Sequence, residues 1–216
     1  LSISVVIADD QEMVRTGFQL ILEGQGDISV LGQAADGVEA VELVQRLKPD
    51  VCLMDIRMPN IDGLQATRQI RSRPELSGTR IVVVTTYDLD EYVYGALRAG
   101  ANGFVLKNSG ARLLAEAIRT AVDGESLVSP SITVRLLEQL NHWNVPGGGV
   151  AADELSMQER KIVVRVARGW TNSEIAADMF LSVSTIKSHL ARIQDKLMMR
   201  NRVEIAAWAW EHGIVR

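Results

Sequence analysis

Over residues 1–125 the apolar positions follow two alternating spacings. Short β-branched runs lie at Ile3–Ala8, Ile28–Ala34, Pro49–Met54, Arg80–Thr85 and Asn102–Leu106. Between them, apolar residues recur every three or four positions over Met13–Glu23, Val38–Leu47, Leu64–Arg71, Glu91–Ala99 and Ala111–Val122. Val14, Phe18, Ile21 and Leu22 share one helical face, and Val38, Val41, Leu43 and Val44 do the same. This alternation predicts an α/β domain with a doubly wound, five-stranded parallel sheet and helices on both faces.

The pattern changes after residue 125. Ser129 and Pro130 suit the start of a short helix over Ser131–Leu140. The stretch "NVPGGGVAAD" has the composition of a flexible linker, and no Lys-Ser or Lys-Thr pair follows its glycines to make a phosphate loop. From Leu155 onward every periodic segment is helical: Met157–Ala167, Asn172–Met179, Ser184–Leu197 and Val203–Trp210. Gly169 falls just past one helix end, with Thr171 or Asn172 as the next N-cap. Four short helices with short turns predict a compact all-α unit with a helix-turn-helix at its centre. The expected division is therefore 1–125, a linker with one short helix over 126–152, and 153–216.

Charge separates the halves again. Residues 1–125 carry 12 bases and 18 acids, whereas residues 150–216 carry 10 bases and 8 acids. Between Leu181 and Arg202 there are five bases and one acid, Asp195, which points to a nucleic-acid partner. The single cysteine, Cys52, excludes an intrachain disulfide framework and a cysteine-rich zinc site, and suits a reducing cytoplasm. No apolar run approaches the ~18–20 residues of a membrane span. The opening "LSISVVIADD" carries acids where a secretory signal carries bases, so no targeting segment and a cytoplasmic location are expected.

The strand ends hold the chemistry. The run "VCLM" leads straight into Asp55, and "ISVVIA" leads into Asp9 and Asp10. A carboxylate that ends an apolar run requires a partner. In a doubly wound sheet the strand ends converge, bringing three carboxylates together with Thr85, Thr86 and Lys107. Clustered carboxylates call for a hard cation such as Mg²⁺, and Asp55, flanked by that ion and Lys107, is placed to accept a phosphoryl group.

The motifs "ADD", "MDIRMPNIDG", "VVTTY" and "GFVLK" resemble, in order and spacing, those of response-regulator receiver domains across residues 3–123. The resemblance implies a flavodoxin-like fold with Asp55 as phosphoacceptor and an acidic pocket of Asp9 and Asp10. It implies a Mg²⁺ site of Asp10, Asp55 and the Arg57 backbone carbonyl, with Asp9 acting directly or through water. Thr85 resembles the switch hydroxyl beside Thr86, Phe104 the coupled aromatic, and Lys107 the phosphate partner. Arg57 and Tyr87 fall where side chains tune the lifetime of the phosphoryl group, and Pro59 and Gly63 where the family has a tight loop. Many receivers follow the lysine with proline and a cis bond, whereas Asn108 stands here.

The segment from "LSMQERK" to "AAWAW" is similar to the LuxR-type helix-turn-helix at Glu159, Gly169, Glu174, Ile175, Ala176, Leu181, Ser182, Val183, Lys187, His189, Leu197 and Arg202. Together the halves resemble a NarL/FixJ-family response regulator. That implies a histidine kinase donor, double-stranded DNA as partner and dimerisation on phosphorylation. Val183, Ile186, Leu190, Ile193 and Leu197 recur as a core stripe. On the outer side, Lys187 and Ser188 are expected at base edges, Thr185 and Arg192 at phosphates, with Ser184, Thr171 and Asn172 nearby. Trp208 and Trp210, two positions apart, cannot share one helix face, which points to an interface in this last helix. An aspartate-nucleophile phosphatase would carry a second Asp where Arg57 stands, so catalysis beyond the chain's own phosphorylation and dephosphorylation is not expected. A receiver reduced to a dimerisation module is opposed by the intact acid–Thr–Lys set.

Overall fold

The computed structural model describes residues 2–86, 90–124 and 155–215. Two compact units divide the chain, the first running to Val122 and the second holding the helices from Met157 onward. The expected short helix at 131–140 and the linker at 126–152 lie outside the described residues.

In the first unit, β1 (Ile3–Ala8), β2 (Ile28–Ala34), β3 (Val51–Met54), β4 (Arg80–Thr85) and β5 (Gly103–Leu106) form one parallel sheet. Their order is β2-β1-β3-β4-β5. Helices α1 (Glu12–Glu23), α2 (Gly37–Leu47), α3 (Gly63–Arg71), α4 (Asp90–Ala99) and α5 (Ala111–Val122) connect them. Because successive strand residues face opposite sides, the sheet has two cores. Val5, Ile7, Val51 and Leu53 pack with Leu22 of α1 and Leu114 and Ile118 of α5. Val6, Ala8, Cys52 and Met54 pack with Val41 and Val44 of α2 and Ile70 of α3.

The third and fifth strands begin later than their apolar runs suggest. Pro49 has no N–H to donate to a ladder. The Asp50 carboxylate next to it accepts from the N–H and hydroxyl of Ser4, at 2.8 and 2.6 Å. The Asn102 carboxamide oxygen accepts from the N–H of Ile81 at 2.9 Å and from Arg71, beside a backbone bond from the Asn102 N–H to the Ile81 carbonyl at 2.7 Å. A single 3-10 turn, Pro74–Leu76, has no counterpart in the periodicity and buries Leu76.

The second unit contains α6 (Met157–Ala167), α7 (Asn172–Met179), α8 (Val183–Leu197) and α9 (Arg202–Glu211). Each start is set by a side chain. Ser156, Thr171, Ser182 and Asn201 accept from the backbone N–H three residues on, and at Ser156 and Thr171 a glutamate closes a capping box. Ile186, Leu190, Ile193 and Leu197 are buried as the spacing predicts. Val183 is not: it is 38% exposed, because as the first residue of α8 it precedes the turn that packs on the bundle. Among the described residues no helix is long and apolar enough to cross a membrane.

Candidate functional site

Strand order explains why Asp9 and Asp55 meet. The order in which successive strands are added reverses between β1 and β3, so a crevice opens at their carboxyl ends. Ala8 and Met54 are register partners, and the residues after them are Asp9 and Asp55. The Asp55 N–H donates to the Ala8 carbonyl at 2.8 Å, which fixes the second acid beside the first. Lys107 follows β5 in the same way, its N–H donating to the Thr85 carbonyl at 2.8 Å.

The side chains then close on one another. Lys107 Nζ lies 2.6 Å from Asp9 Oδ2 and 2.9 Å from Asp55 Oδ2. Asp55 Oδ1 accepts from the Ile56 N–H at 2.8 Å, and Asp9 Oδ1 from the Gln11 N–H at 3.0 Å. Asp9 and Asp55 are buried, while Asp10 is exposed at the rim. Burial pushes the Asp55 carboxyl above its ordinary value, and Asp9 adds to the rise; Lys107 and the Ile56 N–H oppose it without cancelling it. For Lys107, burial works to lower the ammonium's pKa, but its bonds to Asp9 and Asp55 prevail and the net shift is upward.

One carboxylate oxygen from each of Asp9, Asp10 and Asp55 lies within 4.8 Å of the others. Three acids against one ammonium leave the pocket with excess negative charge. An all-oxygen donor set of this kind fits a hard divalent cation. Among the described residues this acidic trio is the group placed to hold a metal ion.

The loop after Asp55 is held tight. A Cβ on Gly63 would stand 1.8 Å from the Asp55 carbonyl oxygen, so only glycine lets the start of α3 pass beneath the acid. The Gly63 N–H donates to the Ile56 carbonyl at 2.8 Å. Thr85 and Phe104 are buried at the ends of β4 and within β5, and Thr86 is exposed. Arg57 has a partner that the sequence did not announce. Its Nε and Nη2 donate to the Tyr92 hydroxyl at 3.1 and 2.7 Å, and its guanidinium lies 5.6 Å from the Tyr92 ring centre. Helical spacing alone marks Tyr92 as one more residue of α4. Tyr87 lies outside the described residues. The Lys107–Asn108 bond is trans, as are the other described peptide bonds.

In the second unit, Ser184, Ser188 and Arg192 are exposed along α8, with Thr185 and Lys187 half-buried. Two residues expected at DNA also make contacts within the bundle. The Asn172 carboxamide oxygen accepts from Arg202 Nη1 at 2.7 Å, tying α7 to α9, and Arg202 also donates to the Trp170 carbonyl. The Thr171 hydroxyl caps α7, accepting from the Glu174 N–H at 3.2 Å. The tryptophans divide as their spacing requires. Trp208 is fully buried and stacks on His212, with ring centres 4.7 Å apart, so it belongs to the core and not to a dimer surface. Trp210 is 41% exposed, and its indole N–H donates to the Ala167 carbonyl at 3.1 Å.

A buried acid outside the strand-end pocket was visible only as a framework position. Glu159 Oε2 accepts from Lys196 Nζ at 2.8 Å and from the Ser156 N–H at 2.7 Å. Burial alone would raise its carboxyl, but Lys196 and Ser156 together bring it down to about 2. The Ser-x-x-Glu spacing was the available signal.

The response regulator receiver domain model matches residues 5–119, and that of bacterial regulatory proteins of the luxR family matches residues 153–209. The chain is 38% identical to the transcriptional regulatory protein LiaR of Bacillus subtilis over 99% of both chains. It is 33% identical to the response regulator protein VraR of Staphylococcus aureus over 100% of both. Among solved structures it is similar to the response regulator ChrA of a heme-sensing two-component system. That likeness has 30% identity and a TM-score of 0.53, with 99% of each chain covered.

Proposed function

The chain belongs to the two-component response regulators that join a receiver domain to a LuxR-type helix-turn-helix, and from that premise we propose that Asp55 is its phosphoacceptor. The donor is a sensor histidine kinase. The observation that carries this reading is Lys107 bridging Asp9 and Asp55 at the carboxyl ends of three strands.

In the proposed reaction a carboxylate oxygen of Asp55 attacks the phosphorus of a phosphohistidine. The P–N bond breaks, the imidazole leaves, and an acyl phosphate forms. Lys107, already within bonding distance of Asp55, follows the charge onto the phosphoryl oxygens. Asp9, Asp10, Asp55 and the Arg57 carbonyl are the groups that would hold Mg²⁺. When bound there, the ion supplies positive charge to offset that on the transferring oxygens. The Thr85 hydroxyl is the switch group, Thr86 stands beside it, and Phe104 is the aromatic coupled to it. Arg57 and Tyr87 tune how long the acyl phosphate lasts. The chain turns over no other substrate.

The output is control of transcription in the cytoplasm through DNA. Helix α8 enters the major groove, with Lys187 and Ser188 at base edges, Thr185 and Arg192 at phosphates, and Ser184 on the same face. One short recognition helix binds weakly, so pairing two copies on adjacent half-sites raises occupancy without a new DNA contact. Phosphorylation promotes that pairing, with the exposed Trp210 of α9 as its candidate surface.

The test is intact-protein mass after incubation with acetyl phosphate. Wild type is expected to gain one phosphate only with a divalent ion, and Asp55→Asn none. One phosphate on Asp55→Asn would refute the assignment. Light scattering and affinity for half and whole sites, with and without phosphorylation, test the assembly step.

A further inference from the structure

The turn between α7 and α8 contains a residue that helix termination and packing leave unexplained. Phe180 ends α7 in the left-handed conformation, with φ of 56°, where glycine is the residue of least strain. Its ring is 95% exposed, so the fold gains almost no apolar burial in return. The other left-handed helix ends, Lys48 and Met198, carry flexible unbranched side chains. Phe180 presents a rigid aromatic to solvent.

Its position supplies a partner. Two residues later Ser182 caps α8, its hydroxyl 2.8 Å from both the Ser184 and the Thr185 hydroxyls. Val183, expected in the core, is partly exposed at the same helix start. Apolar surface therefore borders the hydroxyl cluster at the leading end of α8. In the major groove of B-DNA the apolar group at a base edge is the thymine 5-methyl.

Resting on the reading of α8 as the DNA-reading helix, we propose that Phe180, flanked by Val183, is a specificity residue that packs on a thymine methyl at the edge of the half-site. The hydroxyls and Lys187 supply polar readout, and Phe180 supplies the apolar part. No acid lies between Phe180 and Lys187 to repel the duplex on this element.

The test uses the full-length chain and duplexes that the wild type selects from a random double-stranded pool. Each thymine in the selected site is replaced in turn by uracil, which deletes only the methyl. Wild type should lose about fourfold in affinity at one position, the worth of one buried methyl. Phe180→Gly should bind the thymine and uracil duplexes there equally, and Phe180→Leu should keep part of the preference. The melting temperature of Phe180→Gly should equal or exceed wild type, because glycine relieves the left-handed backbone. Wild-type affinity in Phe180→Gly, or a uniform loss with uracil sensitivity intact, would overturn the proposal. So would a dimer broken by Phe180→Gly without any change in uracil sensitivity, which would assign the ring to a protein contact. If the wild type selects no sequence at all, the DNA-reading assignment fails first, and that result is distinct from a defect confined to Phe180.

Discussion

Asp55 in the first unit and Glu159 in the second are both buried carboxylates, each with a lysine ammonium under 3 Å away. Their protonation is biased in opposite directions. Glu159 has Lys196, the Ser156 N–H and a helix start, with no second acid among its named partners, and its carboxyl falls to about 2. Asp55 has one backbone N–H and a lysine shared with Asp9, and its carboxyl rises. At Glu159 the bonds outweigh burial, and at Asp55 burial and the charge of Asp9 outweigh the bonds. Glu204, buried at the start of α9, is also pushed up by burial. A carboxyl raised by burial therefore does not by itself make a reactive group. What Asp55 adds is two neighbouring acids, Asp9 and Asp10, at a strand-end crevice whose oxygens fit a hard divalent cation.

The largest expected difference is chemical. Asp55→Asn should abolish phosphate uptake, whereas Glu159→Gln should leave uptake by the first unit at the wild-type rate, both followed by intact mass. Equal losses would erase the contrast, since Glu159 would then be coupled to the reaction.

Stability should respond in the reverse order. Glu159→Gln removes a charge-assisted bond beneath the start of α6 and should destabilise the second unit by about 1–2 kcal/mol. Trp170, Trp208 and Trp210 belong to that unit and the first unit has no tryptophan, so tryptophan fluorescence follows its unfolding. Asp55→Asn, with divalent ions chelated, should leave the first unit equally or more stable, because it removes repulsion with Asp9. Hydrogen exchange of β1 and β3 reports this.

The pH dependence sharpens the point. The folded value of Glu159 lies below its ordinary 4.5, so its contribution is present above pH 4.5 and lost as pH falls toward about 2. Glu159→Gln should flatten the loss of stability across that window. The folded value of Asp55 lies above its ordinary 3.8, so its ionisation opposes folding at neutral pH and that opposition fades on acidification. The stabilising effect of Asp55→Asn should fade with it. The same sign for both variants would mean that their environments do not differ as described.

Asp55 was legible in the sequence and Glu159 only partly, for a physical reason. A strand that runs apolar for four residues and then presents a carboxylate breaks a continuous apolar run, and parallel order brings such breaks together. The sheet, its helices and the meeting of Asp9, Asp55 and Lys107 follow from that logic. Glu159 sits in a helix, where a polar residue breaks nothing, and its lysine is 37 residues away on α8. Lys196 could be matched to it only once the bundle was assembled. Asn172 and Trp208 were misassigned for the same reason: residue type suggested a surface role, while tertiary contacts with Arg202 and His212 turned each inward. Strand starts differ where the side chains of Asp50 and Asn102 accept from backbone N–H groups of neighbouring strands, which periodicity does not register.

The smallest predicted effect concerns a cation close to Asp55 that is engaged elsewhere. Arg57 is two residues beyond the acid, and its guanidinium donates twice to Tyr92 on α4. Tyr92→Phe deletes the accepting hydroxyl while keeping the ring and its cation–π contact. With that acceptor removed the guanidinium gains reach toward the phosphoryl group, where it adds charge and impedes an attacking water. Asp55 would thereby move a step toward Glu159, whose bonds outweigh its burial. Decay of the phosphorylated protein should slow by about two- to fivefold, consistent with one exposed charge-assisted bond of under about 1 kcal/mol. Arg57→Ala should remove that gain from the double variant. An unchanged lifetime in Tyr92→Phe, measured by mass over time, would show that the Arg57–Tyr92 contact does not hold the guanidinium back from Asp55.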